Sequence, residues 1–396
     1  MRGLKIIILL GWIAVSAYPV CSAALITESG DFVAEIQRLR GLAFGRNSGL
    51  YIPPTSTQLS DFAELATTLR SGDITMADTQ ATALNYELVQ FTDTASDRVL
   101  HGLREQLTGG QQTLGWGSFF IDLTFQDNAL IETPHPVFDT NSWEVAALAF
   151  QQTEALAFLM AGAHRNANGS GSADVAHLSQ SVFQTAHEAW NGGSGEYPAW
   201  QVHGFNDANH SFPAGTDAVL SVGDGSVSDE VIALDAALQD EGFLSYAYNT
   251  LATADPLNVA VNETVNGTTF SSLGATTNVQ GGYSRALGGT FIHIELEQSI
   301  RFNTTNRQLA ADAIAAAINT INTPPADGDI NADGNVDIAD VLLATRISLG
   351  LLSPTASQLV RGDVAPLIDG APSLDEVINA ADTLVITRKA LGLVAF

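Results

Sequence analysis

Apolar and polar positions alternate along residues 25–320 in two rhythms. Short apolar runs recur at "GSFFIDLTF" (117–125), "NALIET" (128–133), "AWQVHGF" (199–205), "DAVLSVG" (217–223) and "GTFIHIELE" (289–297), and each predicts a strand. Between them, "SWEVAALAFQQTEALAFLMAGA" (142–163), "DEVIALDAALQDEGF" (229–243) and "TTNRQLAADAIAAAINTIN" (304–322) repeat apolar residues at spacings of three and four, which predicts helices. Residues 25–110 are mostly helical in pattern and carry no assignable chemistry. Alternation of this kind predicts an α/β fold, a mixed sheet with flanking helices. In open α/β sheets, sites form where loops leave the strand ends.

Several of the eight histidines fall at such ends. His135 stands between Pro134 and Pro136 after "NALIET", with Asp139 four residues on. His203 precedes Gly204 at the end of "AWQVHG". His164 follows "FLMAGA", which reads as the end of a helix, and Arg165 comes next. His293 shares a strand face with Glu295 and Glu297, because strand side chains alternate. Two His and a carboxylate make a common catalytic zinc set, leaving a fourth position for water. His135, Asp139 and His203 are the candidate ligands, and Glu295 is the candidate base. The prolines would stiffen the turn that aims His135. Glu132 and Glu144 are alternative carboxylate ligands, and Glu297 rivals Glu295. Arg165 has the planar fork to clamp a substrate carboxylate. His164, Asp174, His177 and His293 are candidates to orient the ligands from behind. "TTNVQGGYSR" (276–285) offers Asn278, Gln280 and Arg285 to a pocket lining.

A Pro-Pro linker at 321–328 separates this body from a repeated C-terminal segment, 329–396. "DINADGNVDIAD" sets Asp329, Asn331, Asp333, Asp337 and Asp340 at positions 1, 3, 5, 9 and 12, with Gly334 at position 6. Hard oxygen ligands at alternating positions and a glycine at the sharp turn are calcium-loop spacing. The apolar helix "VLLATRISLGL" follows. A second, degenerate copy offers Asp363, Asp375, Asn379 and Asp382. It carries an insertion before Asp375 and places Glu376 where glycine is expected.

Composition narrows the function classes. The chain has 396 residues, 45% hydrophobic and 15% charged, which is globular rather than disordered. Its net charge of −27 repels phosphate backbones and argues against nucleic acid. Arg2 and Lys5, the run "IIILLGWIAVSA" and the small residues of "CSAA" read as a cleavable signal peptide over residues 1–24. The expected location is therefore secreted, extracellular or periplasmic, with no membrane attachment after cleavage. Cys21 is the single cysteine and lies in that leader, so a mature chain would have no disulfide, thiolate metal site or cysteine nucleophile. There is no G-x-S-x-G elbow, no G-x-G-x-x-G after a strand and no Walker loop.

The two loop–helix units, each ending in "LGL", resemble the type I dockerin module over about residues 327–396. The resemblance implies a small all-α module, folded by calcium, that docks onto a cohesin-domain protein. The body's order of elements, "IETPHPVFDTNSWEVAALAF", "AGAHR…SADVAH", "WQVHGF" and "GGTFIHIELEQSIRF", resembles a zinc-carboxypeptidase-like fold over about residues 115–310. The poly-γ-glutamate hydrolase type is the nearest match within it. It implies His135, Asp139 and His203 as zinc ligands and Glu295 as general base, acting on an amide bond in a peptide-like or polymeric extracellular substrate. The body departs from the His-x-x-Glu pattern of zinc carboxypeptidases, since "HPVF" holds no acid at that spacing. The competing expectations are a non-catalytic binding or structural module, and a polysaccharide-degradation component carried by a dockerin. The latter lacks a convincing pair of catalytic carboxylates at separate strand ends.

Overall fold

The structure is a computed structural model that describes residues 25–192, 196–248, 272–323, 325–331 and 333–396. The leader expected at 1–24 lies outside the described residues, as does Pro324 of the expected linker.

In chain order the elements are β1 (Ile26–Gly30), α1 (Phe32–Leu42), α2 (Ser56–Arg70), α3 (Ile74–Ala83), β2 (Tyr86–Asp93), β3 (Val99–Glu105), β4 (Ser118–Ile121), β5 (Asp127–Thr133), α4 (Ser142–Gln152), β6 (Ala155–Met160), α5 (Val182–Trp190) and β7 (Ala199–Gly204). They continue with β8 (Ala218–Ser221), α6 (Asp229–Asp240), β9 (Ser245–Ala247), α7 (Val279–Ala286), β10 (Phe291–Leu296), α8 (Gln298–Arg301) and α9 (Thr304–Asn322). The C-terminal segment adds α10 (Ile338–Ser348), α11 (Ala356–Gly362), the short pair β11 (Leu367–Ile368) and β12 (Ala371–Pro372), and α12 (Ala380–Ala390).

β1 to β10 form one mixed sheet in the order β1-β2-β3-β4-β6-β5-β7-β10-β8-β9. Its centre, β6, β5, β7 and β10, is parallel. Helices cover both faces. Phe32, Trp143, Phe150, Phe158 and Ile314 belong to the core on one face, and Phe62, Tyr86, Phe119, Phe183 and Trp190 to the core on the other. Full burial of each such side chain is worth roughly 1.5–3 kcal/mol. The helices start where side chains can satisfy their first N–H groups. Asp31 caps α1, Ser181 α5, Ser228 α6 and Asn303 α9.

The expected α/β class and mixed sheet are present, and α9 spans the predicted 304–322, two residues into the expected linker. Two local expectations are corrected. The predicted helix over 142–163 stops at Gln152, and "ALAFLM" is the central strand β6. Every residue of β6 is buried, with Phe158 and Met160 in one core and Leu156, Ala157 and Leu159 in the other. A strand covered on both faces reads as a continuous apolar run, which periodicity cannot distinguish from a buried helix. Residues 86–105, within the stretch whose pattern is mostly helical, form the β2–β3 hairpin. The alternation of "YELVQFTD" is the signal for it.

The topology creates a switch point at β5. The chain leaves β5 through α4 to β6 on one side, then returns through α5 to β7 on the other. Loops leaving the carboxyl ends of adjacent strands diverge there and open a crevice.

The C-terminal segment has its own apolar cluster, including Ile330, Ala344, Val364, Ile378 and Ile386. It is not all-α, because the insertion in the second repeat pairs β11 with β12. Among the described residues, no helix is long and apolar enough to cross a membrane.

Candidate metal centre

His135 sits just beyond β5, in a turn closed by the Asp139 N–H donating to the His135 carbonyl (2.9 Å). Pro134 and Pro136 restrict the backbone on both sides of it, and the Arg40 Nε of α1 donates to the Pro136 carbonyl (3.3 Å). His203 is the penultimate residue of β7, and Glu295, its register partner, is the penultimate residue of β10. The switch-point crevice therefore gathers His135, Asp139, His203 and Glu295 from separate segments.

Asp139 Oδ2 lies 3.4 Å from His135 Nδ1 and 3.2 Å from His203 Nδ1. All three residues are buried, and their ligand atoms lie within 4.8 Å of one another. Donor atoms on a tetrahedral cation with bonds of about 2.1 Å stand about 3.4 Å apart, so the set fits a small cation. The far nitrogens of both rings are engaged. His135 Nε2 is 2.8 Å from Asp174 Oδ1, and His203 Nε2 is 2.8 Å from Gln201 Oε1. Acceptors behind ligating histidines hold the ring and its tautomer in this manner. His203, His293 and Glu295 form a second, overlapping group of potential ligands. The His203 and His293 rings are 4.6 Å apart, and His293 Nε2 is 3.5 Å from Glu295 Oε1. Buried Glu295 Oε2 and His293 Nδ1 have no hydrogen-bond partner among the described residues.

The electrostatics follow from burial and pairing. Burial disfavours charge on His135, but Asp139 and Asp174 outweigh it and push its pKa up to about 9. Burial likewise opposes ionisation of Asp139 and Asp174, yet their imidazole partners, with Arg165 beside Asp174, hold both below the usual carboxylate range. Burial, followed by repulsion between the imidazoles, lowers His203 and lowers His293 further. Burial and the neighbouring charge of Asp139 push Glu295 well above the usual carboxylate range. A cation between the Nδ1 atoms would take the place of the proton that His135 holds.

The competing acids are engaged elsewhere. Glu132 is fully buried against His187 Nδ1 (2.7 Å) and Gln201 Nε2 (2.8 Å). Glu144 pairs with Arg307 at 3.0 Å. Glu297 is turned out of the site and caps α8, accepting from the Ser299 and Asp207 N–H groups. Asp139 is therefore the carboxylate brought between His135 and His203, and Glu295 lies beside them against His293.

The supporting residues divide. Asp174 lies directly behind His135, and His177 Nδ1 lies 3.2 Å from Asp174 one step further out. Arg165 is ion-paired with Asp174, with its guanidinium 5.2 Å from the Phe138 ring centre. It lines both cavities at the site, of about 280 and 370 Å³. His164 is corrected as a residue behind the ligands. Its Nδ1 accepts from the Asn166 N–H, its ring packs on Phe138, and it follows a strand rather than a helix. Of the expected lining, Asn278 borders the first cavity. Gln280 is buried beneath the site, and Arg285 donates to the Val222 carbonyl instead.

Sequence reasoning missed Arg301. Its buried guanidinium donates to the carbonyls of Leu296 (2.9 Å), Thr140 (2.7 Å) and Phe205 (2.7 Å). It thus ties together the ends of β10 and β7 and the turn carrying Asp139. A Cβ on Gly204 would stand 2.2 Å from Arg301 Nε, which explains the glycine after His203. "HG" followed by a late buried Arg is the signal that could have found it.

The C-terminal loops repeat one hydrogen-bond frame. Asp329 accepts from the Asp333 and Gly334 N–H groups, as Asp363 does from Asp375 and Glu376. Asp340 accepts from Asn331 and Asp337, and Asp382 from Ala365 and Asn379. Glu376 adopts φ +62°, the left-handed conformation that Gly334 takes at the same loop position. The second loop, degenerate in sequence, still gathers Asp363, Asp375 and Asp382 into a potential ligand group.

No family model matches the chain, and no curated protein matches it. Among solved structures, "The crystal structure of gene product Atu2144 from Agrobacterium tumefaciens" is similar to 49% of this chain and 92% of its own, at 10% identity and a TM-score of 0.34.

Proposed function

We propose that the body is a zinc-dependent hydrolase that cleaves an amide bond in a peptide or γ-glutamyl-like substrate. The observation that carries this reading is the convergence of His135, Asp139 and His203, with both far nitrogens backed by acceptors, beside a buried Glu295 whose Oε2 has no hydrogen-bond partner among the described residues. Two imidazoles and one carboxylate suit zinc. When bound, zinc lowers the pKa of water and polarises a carbonyl. Glu295 takes the proton of the attacking water and delivers it to the leaving amine. A carboxyl whose pKa is raised by burial is suited to the second half of that transfer, return of the proton. Arg165, at the mouth of both cavities, binds a substrate carboxylate. This assignment agrees with the resemblance to zinc-carboxypeptidase-like and poly-γ-glutamate hydrolase-type enzymes.

For residues 329–396 the reading is a calcium-binding, dockerin-like module of a secreted protein. The repeated carboxylate frame of its two loops supports calcium. Exposed Ile338, Leu342, Leu349, Leu384 and Leu391 support docking to a cohesin-like partner.

Metal analysis of the purified full-length protein tests the enzyme reading. About one zinc per chain is expected, lost in His135→Ala, with amide hydrolysis lost alongside it. A wild-type protein that retains no zinc after dialysis against zinc-containing buffer would end the metallohydrolase reading.

A further inference from the structure

Beneath the metal site lies a buried polar chain that the proposed chemistry does not use. Gln201, on β7 two residues before His203, is fully buried. Its Oε1 faces His203 Nε2 at 2.8 Å and accepts from Asn278 Nδ2 at 2.6 Å. Its Nε2 donates to Glu132 Oε2 at 2.8 Å and to Gln280 Oε1 at 3.3 Å. The other oxygen of Glu132 is held by His187 Nδ1 at 2.7 Å, and His187 Nε2 lies 3.2 Å from Ser284 Oγ. Glu132, His187 and Gln280 are also fully buried.

A glutamine amide can turn end for end, so something must decide which end meets His203. Three neighbours make that decision here. Glu132 presents Oε2 to Gln201 and so takes the NH₂ end. Asn278 uses its own Oδ1 to cap α7 at the Gly281 N–H (2.9 Å), so it can offer Gln201 only its NH₂. Gln280 spends its NH₂ on the Val175 carbonyl (3.0 Å) and Gln184 Oε1 (2.8 Å), so it presents an oxygen to Gln201. All three requirements agree, and Oε1 of Gln201 is left facing His203. Asp139 Oδ2 is an acceptor 3.2 Å from Nδ1, so two acceptors compete for the one hydrogen of a neutral ring; donated from Nε2 to the nearer Gln201, it leaves the Nδ1 lone pair for the metal position.

We propose that Gln201 is a positioning residue that favours the metal-binding tautomer of His203, and that Glu132, Asn278 and Gln280 together set Gln201. The proposal rests on the reading of His135, Asp139 and His203 as a metal site.

The test uses full-length wild type and Gln201→Leu, which fills similar space without an acceptor. Zinc affinity is measured by competition with a chromophoric chelator. The His203 tautomer is read separately, from long-range proton–nitrogen correlation spectra of metal-free protein labelled at histidine nitrogens. Wild type should favour hydrogen on Nε2. Gln201→Leu should shift it to Nδ1, where Asp139 accepts, and bind zinc about 10–100-fold more weakly, the usual size of an effect behind a ligand. Unchanged affinity and tautomer in the variant would overturn the proposal. Hydrogen on Nδ1 in wild type would overturn it with no variant needed, which covers the case in which Gln201→Leu does not fold. If wild type shows the expected tautomer and Gln201→Leu loses it, but neither binds zinc, the positioning role stands and the metal reading fails.

Discussion

The body and the C-terminal segment both gather carboxylates, but by opposite means. In the body, Asp139, Asp174 and Glu132 each meet a side chain 39 to 69 residues away in the chain, besides nearer partners such as His135 for Asp139 and Arg165 for Asp174, in nearly water-free surroundings. In the C-terminal loops, most carboxylate contacts run to backbone N–H groups two to thirteen residues away. The first arrangement needs the whole sheet, and its charges perturb one another strongly because burial removes the screening of water. The second is a local frame whose carboxylates are prearranged by the loop. One site is specified by fold topology, and the other by spacing along the chain.

The sharpest way to break that contrast is at Glu295, the acid proposed for catalysis. Glu295→Gln should leave zinc bound and lower amide turnover by about 10²–10⁴-fold, as expected for loss of a general acid–base. Steady-state kinetics and metal content on the same sample decide it, and full activity in this variant would remove Glu295 from the mechanism. Calcium removal is the next largest effect. Chelation should abolish hydrogen-exchange protection in α10 and α12 while leaving β5, β7 and β10 protected. Equal loss in both regions would show that the C-terminal frame is not independent of the body.

Two smaller effects sharpen the picture of long-range assembly. Gly204→Ala forces a Cβ against Arg301 and should destabilise the body by about 1–3 kcal/mol, the usual cost of overpacking. Urea denaturation measures it, and an unchanged midpoint would mean that Arg301 moves without cost. Asp93 gives a pH-dependent counterpart. Burial opposes its charge, but bonds from Ser96, the Phe32 N–H and Gln151 outweigh burial and hold its pKa below the usual value. A carboxylate depressed in the folded state stabilises above its unfolded pKa, and that stability is lost as pH falls through the folded value. Asp93→Asn should therefore cost about 1 kcal/mol near neutrality, the usual value of a cap, and progressively less in acid. A cost that stays constant with pH would show that the charge plays no part.

Legibility follows the same division. The first calcium-like loop can be read off its spacing because each ligand's position depends on neighbours a few residues away. In the other copy an insertion breaks the count, so its sequence reads as degenerate. Glu376 nevertheless adopts the turn expected of glycine, and the frame is restored. In the body, His135, His203 and Glu295 are legible as polar residues at the ends of apolar runs. Nothing local distinguishes Asp139 from Glu132 and Glu144, since all three carry the same chemistry within ten residues of His135. Strand β6 reads as helix because burial on both faces erases periodicity.

The amino-acid order by itself determined the α/β alternation, the strand ends that carry histidines and the repeated loop spacing, because these depend on side-chain period and on near neighbours. The tertiary structure decided which carboxylate meets His135 and His203, which glutamate keeps an oxygen unpaired among the described residues and which end of Gln201 faces His203. Those choices depend on strand order and on burial, where each polar group must find a partner across the sheet or go without one.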